Sequence, residues 1–121
     1  MLNLDTHILL LGLQGTLTKD EANLLRGSET CVSSIVLWEI AKLHQLGRIP
    51  CGLDDPVLAG ALSRCRVFEI DGEVGRASTR LDFRSDPADE IIAGTSLAHG
   101  IPLLTRDARI RASRVVPLAL P

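Results

Sequence analysis

Short aliphatic or β-branched segments alternate with helical patterns along the chain, and this alternation limits the possible folds more than any other feature. Strands are predicted at residues 1–5, 29–35, 66–70, 101–105 and 114–120. Helices are predicted at residues 6–13, 17–27, 33–47, 49–65, 71–83, 86–100 and 106–113, the fourth of them after a turn. Because strands separated by helices pair in parallel, we predict a three-layer α/β/α sandwich with a mainly parallel central sheet.

The length and apolar content of the chain fit one folded unit. It has 121 residues, of which 45% are hydrophobic, and this is enough to bury a core. With one Trp, two Phe and no Tyr, the core is predicted to be aliphatic. No repeat, low-complexity tract or linker divides the sequence, so we predict a single domain over residues 1–121.

The segment 86–100 carries the strongest helix signals. Asp86 occupies the predicted N-cap, Pro87 the first helical position, and Gly100 the position just past the end. Each of these residue types is favoured at its place, since Pro lacks an N–H that the first turn does not need and Gly tolerates a left-handed C-cap.

Charge, cysteine content and the apolar runs limit the possible environments. The net charge of −2 gives no overall attraction to nucleic acid, so any such contact must come from a local patch. Cys31, Cys51 and Cys65 form no CxxC pair and are predicted to be free thiols of a reducing cytosol. The run 8–13 is too short to span a bilayer, and no basic residue precedes it. We therefore predict a soluble cytoplasmic protein without a membrane segment.

Acidic residues recur where predicted strands end or where the following helices begin. Asp5 ends the first strand, Asp86 and Asp89 begin a long helix, and Asp107 follows the strand at 101–105. The carboxyl ends of parallel strands lie along one edge of the sheet, which is where ligands bind in such folds. These acids are therefore predicted to meet at that edge.

Glu39 is a further acid in an unusual position. Val36, Ile40 and Leu43 form an apolar stripe on the helix at 33–47, and Glu39 stands at the i+3 place of that stripe. A carboxylate that faces inward costs several kcal/mol unless it is paired or bound to a metal. Alternatively, Glu39 lies at the edge of the stripe, reaching water or pairing with Lys42.

Each aspartate also has a purely structural interpretation. Asp5 and Asp107 could cap the helices that follow them, and Asp86 with Asp89 resembles a capping box. For Asp86 taken alone, capping is the favoured interpretation.

Helix capping does not require several acids from distant segments to converge on one place. Clustered carboxylates repel one another and raise their own pKa values. A divalent cation removes that repulsion, and Mg²⁺ or Mn²⁺ prefers hard oxygen ligands. One or two such ions can activate water and stabilise the leaving oxygen in phosphodiester hydrolysis. The pattern therefore favours a metal-dependent phosphodiesterase.

Several segments in a fixed order resemble PIN-domain ribonucleases, in particular the VapC-type toxins of type II toxin–antitoxin modules. The matching segments are LDTHILL, SSIVLWEIAKLHQLGRI, DPADEIIAGTSLAHGIPLLTRDARI and VVPLAL. The LDTH start, the WEIA helix and the TRD turn are specific in combination, whereas each alone is weak. The resemblance extends from end to end of the chain.

The resemblance implies a PIN-like fold and a metal-dependent endoribonuclease. It places the family's catalytic and metal-binding acids on Asp5, Glu39, Asp89 and Asp107. It gives supporting roles to Asp86, Thr6 and Thr105. It further implies Mg²⁺ or Mn²⁺ as the cofactor, RNA as the substrate, a homodimer, and a cognate antitoxin whose tail covers the active site. One departure is Glu90, which stands where similar sequences often have a basic residue after the third acid.

Basic and aromatic residues near the acids suggest contacts of lower specificity. Arg106, Arg109 and Arg111, with Arg114, could bind RNA phosphates or form a solvated helix face. His7 could act as a general base, although a surface or packing role is favoured. Trp38 is predicted to be a core or dimer-interface aromatic.

Two other functions remain open on the sequence. The first is a catalytically silent PIN-like binding module that uses the acidic pocket for a partner's basic tail. The second is a phosphatase of doubly wound type, which would need a nucleophilic aspartate and a well-placed lysine. The only lysines, Lys19 and Lys42, do not follow strands, which disfavours this alternative.

Overall fold

All residues, 1–121, are described by the computed structural model of the protein. The strands are β1 (Leu2–Leu4), β2 (Thr30–Ser33), β3 (Arg66–Phe68) and β4 (Leu103–Leu104). The helices are α1 (Thr6–Gln14), α2 (Lys19–Arg26), α3 (Ser34–Gln45), α4 (Pro56–Ser63), α5 (Gly72–Ser78), α6 (Pro87–His99) and α7 (Ala108–Arg111). All strand pairs are parallel, in the order β3-β2-β1-β4. The order reverses at β1, and such a reversal is where open α/β sheets bind ligands.

Helices cover both faces of the sheet, as the side chains of β1 show. Successive side chains of a strand point to opposite faces. Asn3 donates from Nδ2 to the Ile92 carbonyl (3.2 Å) and to Ser96 Oγ (2.9 Å), both on α6. Leu4 lines an apolar pocket whose other lining residues come mainly from α1, α2 and α4. The predicted three-layer arrangement around a parallel sheet is therefore confirmed.

The central core is aliphatic, as predicted. The largest cluster of buried apolar side chains contains only Leu, Ile, Val and Ala. Trp38 lies on α3 with 54% of its surface exposed, so the prediction that it belongs to the core is wrong. Its role in a dimer interface stays a prediction. None of the helices combines the length and apolar character that crossing a bilayer requires.

Helix α6 begins and ends where its sequence signals predict. Pro87 is its first residue, and Gly100 follows its last residue with a left-handed φ of 64°. A side chain at Gly100 would be strained by this backbone conformation, since L-residues rarely adopt positive φ. With Pro87 as the first residue, Asp89 lies in the first turn of the helix.

The predicted final strand at 114–120 is wrong. Leu118 forms only an isolated parallel bridge with Leu103, supported by two backbone bonds of 2.9 Å. Pro117 has no N–H to donate to a ladder, and Pro is rarely found inside a paired strand. The segment therefore touches the edge of β4 without extending the sheet.

Candidate active site

Asp5 lies at the carboxyl end of β1, with only 3% of its surface exposed. Its Oδ1 accepts a hydrogen bond from the Thr6 N–H at 2.8 Å and so caps α1. Its Oδ2 accepts the hydroxyl of Thr105 at 2.5 Å. Thr105 directly follows β4, so this bond joins the carboxyl ends of two adjacent strands at the point where the strand order reverses.

Glu39 reaches the same region from α3. Its Oε1 accepts the hydroxyl of Thr6 at 2.5 Å, and its side chain is half-buried. Lys42 instead donates to Gln45 at 3.0 Å, so the alternative pairing of Glu39 with Lys42 is not formed. The polar member of the apolar stripe therefore faces the residue that follows Asp5, not a surface cation.

The first turn of α6 brings a third carboxylate. Asp89 Oδ2 accepts the hydroxyl of Ser85 at 2.9 Å. Asp86 stands at the N-cap position, but its side chain makes no capping bond, so the capping-box interpretation is wrong. Glu90 instead provides a side-chain hydrogen bond at the start of the helix, because its Oε2 accepts the Ser85 N–H at 3.2 Å. The helix start is thus stabilised without using the carboxylate of Asp86.

Asp107 supplies a fourth carboxylate from the turn after β4. Its Oδ1 accepts the Ile110 N–H at 3.0 Å, so it does cap the short helix α7. Its own N–H donates to the hydroxyl oxygen of Thr105 at 3.0 Å. The threonine that contacts Asp5 therefore also fixes the start of this turn.

Part of the acid cluster borders a cleft of about 470 Å³, called the acidic cleft below. It is lined by Ser85, Asp86, Asp89, Asp107, Ala108 and Arg109. Asp5 and Glu39 lie outside its lining. No three acidic, histidine or cysteine side chains converge closely enough to hold one ion between them directly. The arrangement is therefore an open cluster of carboxylates with room between them for water.

The carboxylates nevertheless share one electrostatic environment. The pKa of Glu39 is raised above its ordinary value, mainly by burial and further by the charges of Asp5 and Asp89. The pKa of Asp89 is also raised, again mainly by burial and further by Asp5, Asp107 and Asp86. Hydrogen bonds from the neighbouring hydroxyls oppose both shifts. Mutual repulsion of this kind is relieved when a cation enters.

The donor set fits a hard divalent cation. One oxygen of Glu39, of Asp89 and of Asp107 accepts no hydrogen bond within the protein, so its lone pairs are available. Mg²⁺ keeps several of its waters and is commonly bound through about one or two carboxylates. Direct contact with three side chains is therefore not required, and the open geometry is compatible with such an ion.

The three arginines predicted to contact RNA have different intramolecular partners. Arg106 pairs with Glu21, and Arg111 donates to the carbonyls of Thr105 and Pro121. Arg109 uses one nitrogen, Nη1, for the carbonyl of Arg84 at 2.9 Å. Because it also lines the acidic cleft, Arg109 keeps donors for a phosphate there. The phosphate-binding roles of all three stay predictions.

His7 is held by backbone and carboxylate together. Its Nε2 accepts the Arg106 N–H at 3.0 Å, and its Nδ1 lies 3.5 Å from Asp5 Oδ2. A nitrogen that accepts a hydrogen bond carries no proton, so the proton of the neutral ring sits on Nδ1. The lone pair that a general base would use is thus occupied.

Two residues of this region were not singled out on the sequence. Ser85 precedes the predicted helix and donates hydrogen bonds to both Asp89 and Glu90. Its place just before the helix and four residues before Asp89 is a sequence feature from which the contact with Asp89 could have been predicted. Glu21 sits in a Thr-x-x-Glu pattern that indicates only a capping box, which the structure does contain. Its long-range partner carries no sequence signal.

Comparison with known proteins gives consistent matches. The PIN-domain family matches residues 3–115. Ribonuclease VapC22 of Mycobacterium tuberculosis is 33% identical over 91 residues, covering 71% of this chain and 68% of the relative.

Solved structures match the fold at low identity. The structure of VapBC2 from Rickettsia felis bound to a promoter DNA fragment has a TM-score of 0.75 at 18% identity, covering 98% of this chain and 97% of the other. DNA-bound VapBC from Salmonella typhimurium has a TM-score of 0.76 at 18% identity, covering 97% and 95%. Because the family match covers residues 3–115 of the 121, this chain belongs to the PIN-domain family.

Proposed function

We propose that this protein is a metal-dependent endoribonuclease and the toxin of a toxin–antitoxin pair. One observation carries the proposal: carboxylates from the end of β1, from α3, from α6 and from the turn after β4 approach one edge of the sheet. There burial, and after it the charges of the neighbouring acids, raise the pKa values of Glu39 and Asp89. The relative named Ribonuclease VapC22 and the similarity to VapBC complexes support it. The proposed catalytic and metal-binding residues are Asp5, Glu39, Asp89 and Asp107.

A bound Mg²⁺ or Mn²⁺ would polarise the scissile phosphate and activate a water for attack. The chain contributes the orientation of the ligands. The hydroxyls of Thr6 and Ser85 donate to one oxygen of Glu39 and of Asp89 and leave the other oxygen of each free. Both oxygens of Asp5 are fixed, one by the hydroxyl of Thr105 and the other by the Thr6 N–H. Side chains fixed in this way lose little further freedom when the substrate binds, which is how positioning lowers a barrier.

The acidic cleft offers a place for the RNA phosphate. Arg109 lines it beside Asp89 and Asp107, and only its Nη1 has a partner within the protein. A guanidinium presents a planar fork of donors that matches phosphate oxygens. With a net charge of −2, the protein has no general attraction for RNA, so this local cation and the bound metal would supply it.

The proposal is tested by RNA cleavage in the presence of Mg²⁺ or Mn²⁺. Asp5→Asn and Asp89→Asn should each lower the rate at least about 100-fold, since each removes a charged ligand. Asp54→Asn, which changes an exposed aspartate, is the matched control and should retain full activity. Circular dichroism checks that all variants are folded. Undiminished cleavage by both site variants would end the proposal.

The absence of three directly convergent ligands favours one alternative, a silent PIN-like binding module. Such a module would use the acidic cleft for a partner's basic tail and would bind metal poorly. Titrating Mn²⁺ into the pure protein by calorimetry separates the two. Saturable binding that is lost in Asp89→Asn supports the nuclease, and a lack of saturable binding supports the module.

We further propose a cognate antitoxin as a partner, because similar structures are toxin–antitoxin complexes. A homodimer and a cytoplasmic location are also proposed, the latter because Cys31, Cys51 and Cys65 are all free. The chain is taken as one domain over 1–121. Light scattering of the purified protein measures the subunit number, and co-expression with the neighbouring gene tests the antitoxin.

A further inference from the structure

An ion pair with a buried carboxylate and a partly exposed guanidinium lies outside the acid cluster, between α2 and the turn after β4. Glu21 is only 4% exposed, and its two oxygens accept from the guanidinium of Arg106. The Nε to Oε2 distance is 2.9 Å and the Nη2 to Oε1 distance is 2.7 Å, which is a bidentate pair. Glu21 Oε1 also accepts the Thr18 N–H at 2.8 Å, so the carboxylate itself is fixed at the start of α2.

Arg106 is held at both its side chain and its backbone. Its Nη2 also reaches the carbonyl of Thr16 at 3.3 Å, and its N–H donates to His7 Nε2 at 3.0 Å. Its neighbours in the chain are Thr105, which donates to Asp5, and Asp107, one of the proposed ligands. A displacement of Arg106 would therefore move both neighbours.

We propose that Glu21 and Arg106 are positioning residues of the nuclease, and that their bidentate pair fixes the turn carrying Thr105 and Asp107 against Asp5. This inference rests on the proposed function. Through the Arg106 N–H, the same pair also fixes the His7 ring beside Asp5, at 3.5 Å from its Oδ2. Neither Glu21 nor Arg106 touches the acidic cleft, so the action is indirect.

The competing role for Arg106 is a direct contact with an RNA phosphate. The bidentate pair already uses Nε and Nη2, and the paired carboxylate neutralises the charge that a phosphate would seek. The two roles differ in what Glu21 should do. A positioning pair needs both partners, whereas a phosphate contact would be strengthened when Glu21 releases the guanidinium.

Kinetics of RNA cleavage separate the two roles. Glu21→Gln and Arg106→Gln should each lower kcat at least about 10-fold with KM changed by less than about 2-fold, since small misplacements of ligands slow chemistry. The double variant should lose no more than the single variants, because one pair acts as a unit. Arg106→Lys should lower kcat about as much as Arg106→Gln does, since an ammonium cannot replace the planar guanidinium in the bidentate pair. Arg48→Gln, at an exposed arginine, is the control.

The opposite pattern would overturn the inference. A rise in KM for Arg106→Gln alone, with Glu21→Gln as active as wild type, assigns Arg106 to phosphate binding. Equal losses of kcat in Arg48→Gln would assign the effect to general charge.

A readout independent of catalysis keeps the inference testable if the wild type fails to cleave RNA, a result that would count against the proposed function alone. Hydrogen exchange at the Arg106 amide should be slow and should quicken at least about 10-fold in Glu21→Gln. An Arg106 amide equally protected in the variant would refute the proposal that the Glu21–Arg106 pair fixes this turn.

Discussion

Replacing Glu21 by Gln should destabilise the protein measurably, and the size of the effect follows from the geometry of its pair with Arg106. The pKa of Glu21 is lowered from 4.5 to about 2, chiefly by the hydrogen bonds from Arg106. At about 1.4 kcal/mol per unit, this shift sets an upper limit of about 3 kcal/mol. The Arg106 side chain is 39% exposed, so water screens the pair and the expected loss is about 1–2 kcal/mol.

The pH dependence of this loss provides the sharper test. A carboxylate with a lowered folded-state pKa stabilises the fold above its unfolded pKa of 4.5 and loses that contribution as pH falls through about 2. The difference in unfolding free energy between wild type and Glu21→Gln should therefore be constant from about pH 7 to 5 and vanish near about pH 2. Urea denaturation monitored by circular dichroism at several pH values measures it.

Glu73→Gln serves as the control, because Glu73 is an exposed carboxylate that also lies in the first turn of a helix. Its substitution should change the unfolding free energy by less than about 0.5 kcal/mol at every pH. If Glu21→Gln behaves like this control, or if its deficit persists unchanged at the lowest pH, the account of the Glu21–Arg106 pair is refuted.

Three further substitutions test the site and the packing. Glu39→Gln should abolish cleavage and stabilise the metal-free protein by about 0.5–2 kcal/mol, because burial and the neighbouring acids raise the pKa of Glu39. The increase in unfolding free energy, measured by urea denaturation, should be largest at neutral pH and disappear below the unfolded-state pKa of this carboxyl. Asn3→Asp should cost about 2–5 kcal/mol, since it sets a carboxylate oxygen against the Ile92 carbonyl, and thermal unfolding would show it. Gly94→Ala should lower the melting temperature, because its Cβ would meet the Ser78 backbone at 3.0 Å, a clash of about 1–3 kcal/mol that exceeds the gain of about 1 kcal/mol in helix propensity.

Local chemistry is what the sequence predicts well here. Pro87 and Gly100 mark the ends of α6 because their backbone preferences act within one turn. Strands separated by helices predict a parallel sheet. A parallel sheet places the carboxyl ends of its strands along one edge, so the positions of Asp5 and Asp107 at that edge could be predicted as well. The final strand was predicted wrongly because Pro117 limits its pairing to a single bridge.

Contacts between distant segments are what the sequence leaves open. Glu21 and Arg106 are 85 positions apart, and nothing in either neighbourhood indicates the other. The capping box at Asp86 was locally reasonable, but Ser85 offers its hydroxyl to Asp89 and its N–H to Glu90 instead. Such choices depend on which partners the folded chain brings within reach, and several polar residues compete for each donor.

The most direct test of the central claim is to locate a divalent cation in crystals of the protein grown with Mn²⁺. The account predicts an anomalous difference peak at the sheet edge, with Asp5, Asp89 or Asp107 among its direct or water-bridged ligands, and loss of that peak in Asp89→Asn. Well-diffracting crystals with no peak there at saturating Mn²⁺, or with one bound only at unrelated surface residues, would contradict it.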